Sequence, residues 1–211
     1  MTNKNLLIEM SSQRKVEVTA KPFSLKSTDW FQKKIKGLNV NANRTSKQII
    51  NSKQSVNTFN IGNLYCFFYD PKTADQLPYY DSFPLILVLQ KTHTGFIGLN
   101  LHYLPIELRV TFLRALAPFA STDKDRNIKK LRISYDILMN SKVNRFVKPC
   151  IKQYLFSQVN SNIVKIEANE FETAIWLPLQ QFKKAKAPTV WNDTVRKMKN
   201  PDLDIPKKRE E

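Results

Sequence analysis

Gly62-Asn63-Leu64-Tyr65-Cys66-Phe67-Phe68-Tyr69-Asp70-Pro71-Lys72 opens the stretch on which the fold turns. It continues, after a polar turn, as Leu77-Pro78-Tyr79-Tyr80-Asp81-Ser82-Phe83-Pro84-Leu85-Ile86-Leu87-Val88-Leu89 and then as Gly95-Phe96-Ile97-Gly98-Leu99-Asn100-Leu101-His102-Tyr103-Leu104-Pro105. Aromatic and β-branched residues pack well on a pleated surface, while Gly and Pro mark the bends between strands. Leu64 to Tyr69 is too apolar to keep one face in water, so it is expected centrally in its sheet. Asp70-Pro71-Lys72 is a turn, because Asp accepts a bond from the backbone that follows it and Pro holds φ. Leu77 to Phe83 reads as an irregular aromatic crossing, Leu85 to Leu89 as a second strand, and Lys91-Thr92-His93-Thr94-Gly95 as a hairpin turn into a third strand, Phe96 to Tyr103. The expected fold class is α+β: a small antiparallel sheet, shaped as a partly open SH3-like barrel, with flanking helices and basic extensions.

Outward from this centre the pattern changes to helical spacing. Pro105 suits a first helical turn and Glu107 its positive end, and Ile106, Val110, Leu113 and Ala117 share one side. Upstream, Ser27 and Thr28 can cap a helix that places Trp30, Phe31, Ile35 and Leu38 opposite Lys33, Lys34 and Lys36, with Gly37 at its end. Residues 39–60 are rich in Asn, Ser, Thr, Lys and Gln and hold no acid, which predicts a loop or a segment ordered by a partner. Downstream, Val143, Phe146, Val147, Cys150, Ile151, Tyr154 and Leu155 mark a buried helical face, with Arg145, Lys148 and Lys152 opposite and Pro149 forcing a kink or break. Residues 163–167 suggest another strand, and Asn169 can cap a short helix with Phe171, Ala174 and Ile175. From Phe182 onward the chain is rich in Lys and Pro and reads as extended, tethered at Trp191. The resulting division is an arm (1–26), a basic helix and polar loop (27–61), an α+β core (62–182) and a basic tail (183–211).

The 211 residues carry a net charge of +16, and its distribution is uneven. Residues 1–62 hold 11 Lys or Arg against 3 acids, residues 63–120 hold 4 against 4, and residues 121–211 hold 19 against 11. A neutral centre between two cationic flanks suits a polyanion, either nucleic acid or an acidic protein surface. Candidate contacts are Lys33, Lys34, Lys36, Arg44, Lys47, Lys53, Arg145, Lys148, Lys152, Lys183, Lys184, Lys186, Arg196 and Lys197. The competing reading is that these residues only solvate the surface. No run of 18 apolar residues is present to span a membrane, and the first residues lack a secretory signal. Cys66 and Cys150, the only cysteines, sit in apolar contexts and are expected as buried free thiols in a reducing compartment.

Signs of bond chemistry are few. His93 lies in a turn, and His102, between Leu101 and Tyr103, is expected as a structural imidazole. No zinc-ligand spacing, P-loop, dinucleotide fingerprint or nucleophile elbow can be written, so no cofactor and no metal is expected. The enzymatic alternative is a metal-dependent nuclease using Asp70, Lys72, Asp75 and Asp81.

The run from Phe67 to Leu85 and the string Gly98-Leu99-Asn100-Leu101-His102-Tyr103-Leu104-Pro105 resemble a family of virion structural proteins of T-even-like contractile-tailed bacteriophages, of the DNA end protector type. Ser134-Tyr135, Pro149-Cys150, Lys152 to Leu155 and the Trp191 tail extend the similarity over most of residues 27–195. The resemblance implies a non-enzymatic virion component, made in the host cytoplasm, that sits on the termini of packaged double-stranded DNA and keeps host exonucleases off them. Other virion proteins are implied partners, and an assembly protein of neck, tail or baseplate is the alternative. End preference needs more than phosphate contacts, which occur anywhere along a duplex. Tyr79 and Tyr80 are the expected rings for stacking on a terminal base pair.

Overall fold

The computed structural model describes residues 46–47, 49–51, 55–106, 108–109, 147–166, 174 and 179–200. Its centre is an antiparallel sheet of β1 (Ser55–Val56), β2 (Leu64–Cys66), β4 (Leu85–Lys91), β5 (Gly95–Asn100), β6 (Ile151–Leu155) and β7 (Ile163–Ile166), ordered β1-β7-β2-β4-β5-β6. A separate ribbon pairs β3 (Tyr80–Asp81) with β8 (Phe182–Lys183). The one long helix among the described residues is α1 (Ala187–Lys199). An antiparallel sheet beside a helix agrees with the α+β expectation. Among the described strands, however, the sheet runs between two ends, β1 and β6, and does not close into an SH3-like barrel.

Alternation between two buried faces explains why β2 and the first five residues of β4 are apolar at every position. Leu64, Cys66, Leu85 and Leu87 point into one core with Leu99, Val164 and Ile166, which also receives Val190 and Met198 of α1. Tyr65, Phe67, Ile86 and Val88 point into a second core on the opposite face with Phe59, Phe96 and Tyr154. Two buried faces require an uninterrupted apolar strand, and β2 lies between β7 and β4 as its composition predicts. The 91–95 hairpin closes with a bond from the Thr92 amide to the Gly95 carbonyl at 2.9 Å. Gly62, with φ 77°, makes the left-handed bend that leads into β2.

Three local expectations are corrected. The helical spacing across residues 143–155 gives way at Pro149 to a 3-10 turn (Lys148–Cys150) and then to β6. Proline removes the amide that a helix would use, and β5 offers a free edge: Gly95 to Leu99 pair with Leu155 to Ile151. Lys152 therefore shares a face with Tyr154 instead of opposing it. The segment expected to be extended after Phe182 contains α1, because Val190, Thr194 and Met198 recur every fourth residue and are buried, while Pro188 sits in the first turn. In the polar stretch 39–60, Ile49, Ile50 and Phe59 are buried and Ser55–Val56 pair with β7. A few apolar residues in a polar segment are enough to seat it once a core is present.

Other expectations agree with what is described. β7 is a strand, and Cys66 and Cys150 are free and buried; burial pushes the Cys150 thiol up to about 12. Trp191 does tether the C-terminal region, donating from Nε1 to the His102 carbonyl at 2.9 Å. Replacing Trp191 with Phe keeps the ring but deletes that donor, and is expected to lower stability by about 1 kcal/mol, read as a fall of roughly 2–4 °C in the melting temperature. Ala174, within the short helix expected after Asn169, is helical and buried. The helix expected from Ser27 and most of the helix expected after Pro105 lie outside the described residues.

Candidate nucleic-acid interface

The polar centre of the molecule is a filled carboxylate. Asp81, on β3, is 3% exposed and its Oδ2 accepts from His102 Nδ1 at 2.7 Å. Its Oδ1 accepts the backbone amides of Phe83 at 3.1 Å and Gln181 at 3.0 Å. Asn100, at the end of β5, donates to Asp81 Oδ2 at 3.4 Å and to the Tyr154 hydroxyl at 3.2 Å, and its Oδ1 accepts the His102 amide at 3.0 Å. The His102 carbonyl then accepts from both Trp191 and Arg109 Nη2. Burial works against the Asp81 charge, but His102 and the two amides outweigh it and hold the carboxyl below the usual range. Burial also pushes the His102 imidazole down against the pull of Asp81. A neutral ring agrees with the geometry, since His102 Nε2 is buried with no acceptor for a second proton.

His102 is thus the structural imidazole that its context predicts. The same network bears on the acids named for the nuclease alternative. Asp81 has its lone pairs committed to protein donors, Asp70 and Asp75 stand exposed, and among the described residues no group of three or more His, Cys, Asp or Glu could hold a metal ion.

Beside this network lies an open cleft of about 400 Å³, walled by Tyr69, Tyr80, Tyr103 and Tyr154, with Lys72 and Lys152 among its lining residues. The Lys152 ammonium lies 4.8 Å from the centre of the Tyr103 ring. The cleft is not uniformly basic. The Tyr80 hydroxyl donates to Asp70 at 3.4 Å, and the half-buried Tyr79 donates to Asp193 of α1. The two expected stacking rings therefore both stand beside carboxylates.

The basic residues fall into three groups. Lys47, Lys148, Lys183 and Lys186 are exposed, with no acid in ion-pair range among the described residues, and Lys183 stands opposite Tyr80 in the β3–β8 ribbon. Lys184, Arg196 and Lys197 have local work. The Lys184 ammonium donates to the carbonyls of Ala74, Asp75 and Leu77 at 2.7, 3.0 and 3.1 Å, holding the 74–76 turn, while its own backbone sits at φ 67°. Arg196 and Lys197 both face Asp193, at 2.7 and 3.3 Å. Lys33, Lys34, Lys36, Arg44, Lys53 and Arg145 lie outside the described residues.

The sequence reading passed over Phe156. It is 42% exposed and is the single exposed large apolar side chain among the described residues. It follows β6 directly, and the helical reading of 143–155 hid it. Alternation counted from Pro149 would have put it in line with Lys152 and Tyr154.

The residues carrying the earlier resemblance now sit in one assembly: Tyr79 to Phe83 and Gly98 to Tyr103 build the Asp81 network, and Trp191 closes it. A family model described as Phage T4 terminal DNA protecting protein matches residues 6–194. The chain belongs to that family. The match takes in all eight strands and reaches Thr194, within α1. No curated protein and no solved structure matches the chain. In this member of the family the described residues present exposed lysines beside a sheet, with the buried Asp81–His102 pair engaged in holding the fold together.

Proposed function

We propose that this protein binds the ends of packaged linear phage DNA as a virion component and shields them sterically, without making or breaking bonds. Membership of the terminal DNA protecting family carries the reading. Two physical features support it. Lys47, Lys148, Lys183 and Lys186 keep exposed ammonium groups with no acid in ion-pair range among the described residues, and the chain as a whole has a net charge of +16. Arg44, Lys53, Arg145 and the lysines at 33, 34 and 36 extend the same cationic surface in this proposal, with Lys152, Lys184, Arg196 and Lys197 in supporting positions. The protein is made in the host cytoplasm and enters the particle with the DNA and other virion proteins.

Phosphate contacts release condensed counterions, so affinity falls with salt. If about six phosphates are neutralised, log affinity falls against log salt with a slope near −5. Removing Lys148 and Lys183 together is expected to make that slope shallower by about 2. The test is a gel-shift titration of blunt linear and closed circular DNA at two salt concentrations, with exonuclease digestion of the linear form in parallel. Tighter, salt-dependent binding to the linear form and slowed digestion support the proposal. Binding indifferent to salt, or equal binding to both forms without protection, overturns it in favour of a neck, tail or baseplate assembly role.

A further inference from the structure

Phosphate contacts alone cannot tell a DNA end from the middle of a duplex, because the backbone repeats along the whole molecule. The feature unique to an end is the flat, apolar face of the last base pair. A protein that selects ends needs a rigid flat surface, open to solvent, with no negative charge beside it.

Phe156 is flat, exposed and anchored from beneath. Beneath it lies a pile of rings. Phe59 is stacked with Phe156 at 17° and 6.1 Å, Phe96 lies 6.0 Å from Phe156, and Tyr154 is stacked on Phe96 at 16° and 5.3 Å. Phe59, Phe96 and Tyr154 are at most 4% exposed, so Phe156 is the open end of a column anchored in the second core. Its backbone is fixed as well: the Phe156 amide donates to the Thr94 carbonyl at 3.0 Å, tying the ring to the 91–95 hairpin.

The electrostatic setting points the same way. The column is built from residues 55–69, 83–106 and 147–166, which contain no Asp or Glu; the adjoining acid is Asp70, whose amide donates to the Gln158 carbonyl at 3.2 Å and whose carboxylate faces the Tyr80 hydroxyl. Lys91 stands opposite Phe96 in the β4–β5 ladder, so both side chains leave the same face. Lys91 and His93 are exposed at that hairpin, and Lys91 has no acid in ion-pair range among the described residues. An apolar ring with an exposed lysine and histidine on the adjoining hairpin suits a base pair flanked by phosphates. By contrast, the Tyr79 and Tyr80 hydroxyls are spent on Asp193 and Asp70.

We infer that Phe156 is the platform on which the terminal base pair of a duplex stacks, with Lys91 holding a phosphate of the end nucleotides. This rests on the DNA-end reading proposed above and assigns the residue that makes ends distinct. Stacking of a base on an aromatic side chain is sequence-tolerant, as a protector of arbitrary ends requires.

The test uses the full chain with a blunt duplex carrying 2-aminopurine in the terminal or in a central position, alongside closed circular DNA as competitor. Wild type is expected to quench the terminal probe and leave the central one unchanged. Phe156→Ala should lose that quenching and lower the linear-to-circular affinity ratio about tenfold, within the range of one base–aromatic stack, while affinity for circular DNA stays the same. Phe156→Trp should retain both signals, which separates loss of the ring from loss of the fold. An unchanged ratio and unchanged quenching in Phe156→Ala overturn the platform while leaving DNA-end binding intact. Absence of any preference for linear DNA in wild type overturns the end-binding reading itself, and the platform with it.

Discussion

Asp81→Ala is expected to destabilise the protein by about 3–5 kcal/mol, because each buried donor left without its acceptor costs roughly 1–3 kcal/mol. That is a large share of a stability of roughly 5–15 kcal/mol. The carboxylate accepts from His102, from Asn100 and from the amides of Phe83 and Gln181, so its loss leaves several buried donors with no acceptor at once. The effect should spread to α1, because Gln181 leads into β8 and the His102 carbonyl receives Trp191. Urea unfolding measures it; a loss below about 1 kcal/mol would mean that the donors find other partners cheaply. Acid should act through the same residues. Burial holds His102 below its ordinary 6.5, so as pH falls through that value the unfolded chain takes up the proton first. Stability is then fully present above about pH 6.5 and declines below it. Asp81, held below its ordinary 3.8 by its donors, adds a second decline in the same direction below that pH. Melting temperatures measured between pH 7.5 and 5 should fall in wild type, and fall less in His102→Asn.

Gly95→Ala is the second change expected to be severe. A Cβ built on Gly95 would stand 1.9 Å from the Tyr154 carbonyl oxygen and 2.9 Å from the carbon it is bonded to. Both are backbone atoms, so no rotamer change relieves the clash, and β6 must move away from β5. The pairing at risk runs from Gly95–Leu155 to Leu99–Ile151, and Phe156 follows at once. A cost of about 3 kcal/mol is expected, at the upper end for overpacking, together with a loss of preference for linear DNA as the Phe156 ring is displaced. Native-state hydrogen exchange should show faster exchange of the β6 amides in the variant. Unaltered β6 protection would show that the strand shifts without losing its bonds.

Much of the central sheet could be read in advance because its determinants are local. Leu64 to Cys66 and Leu85 to Leu89 carry side chains that suit burial on both faces, and both became inner strands. The hairpin at 91–95 needs only its own turn residues. The errors came where local pattern was ambiguous. Val147, Cys150, Ile151, Tyr154 and Leu155 satisfy helical spacing, yet Ile151 to Leu155 form a strand because β5 had an edge to pair. Val190, Thr194 and Met198 were masked by the lysines and prolines around them, and became a helix face because the first core had room for it.

The candidate interface was legible in kind and not in place. Composition alone shows an excess of cations, but Lys184 spends its ammonium on three carbonyls of the 74–76 turn, and Arg196 and Lys197 share Asp193. The Lys184 contacts depend on segments more than 100 residues apart meeting. Tyr79 and Tyr80 were visible as aromatic residues; their carboxylate neighbours were not.

By itself, the sequence determined the charge asymmetry, the inner strands, two buried cysteines without a disulfide and the family, since each is written in residue types and short spacings. Tertiary structure alone decided which apolar run became β6, which of the described lysines stand clear of acids, that Asp81 and His102 are locked together, and that Phe156 ends an aromatic column in solvent. The physical reason is that periodicity reports which backbone a segment tolerates, whereas burial, charge pairing and exposure are set by what the rest of the chain brings against it.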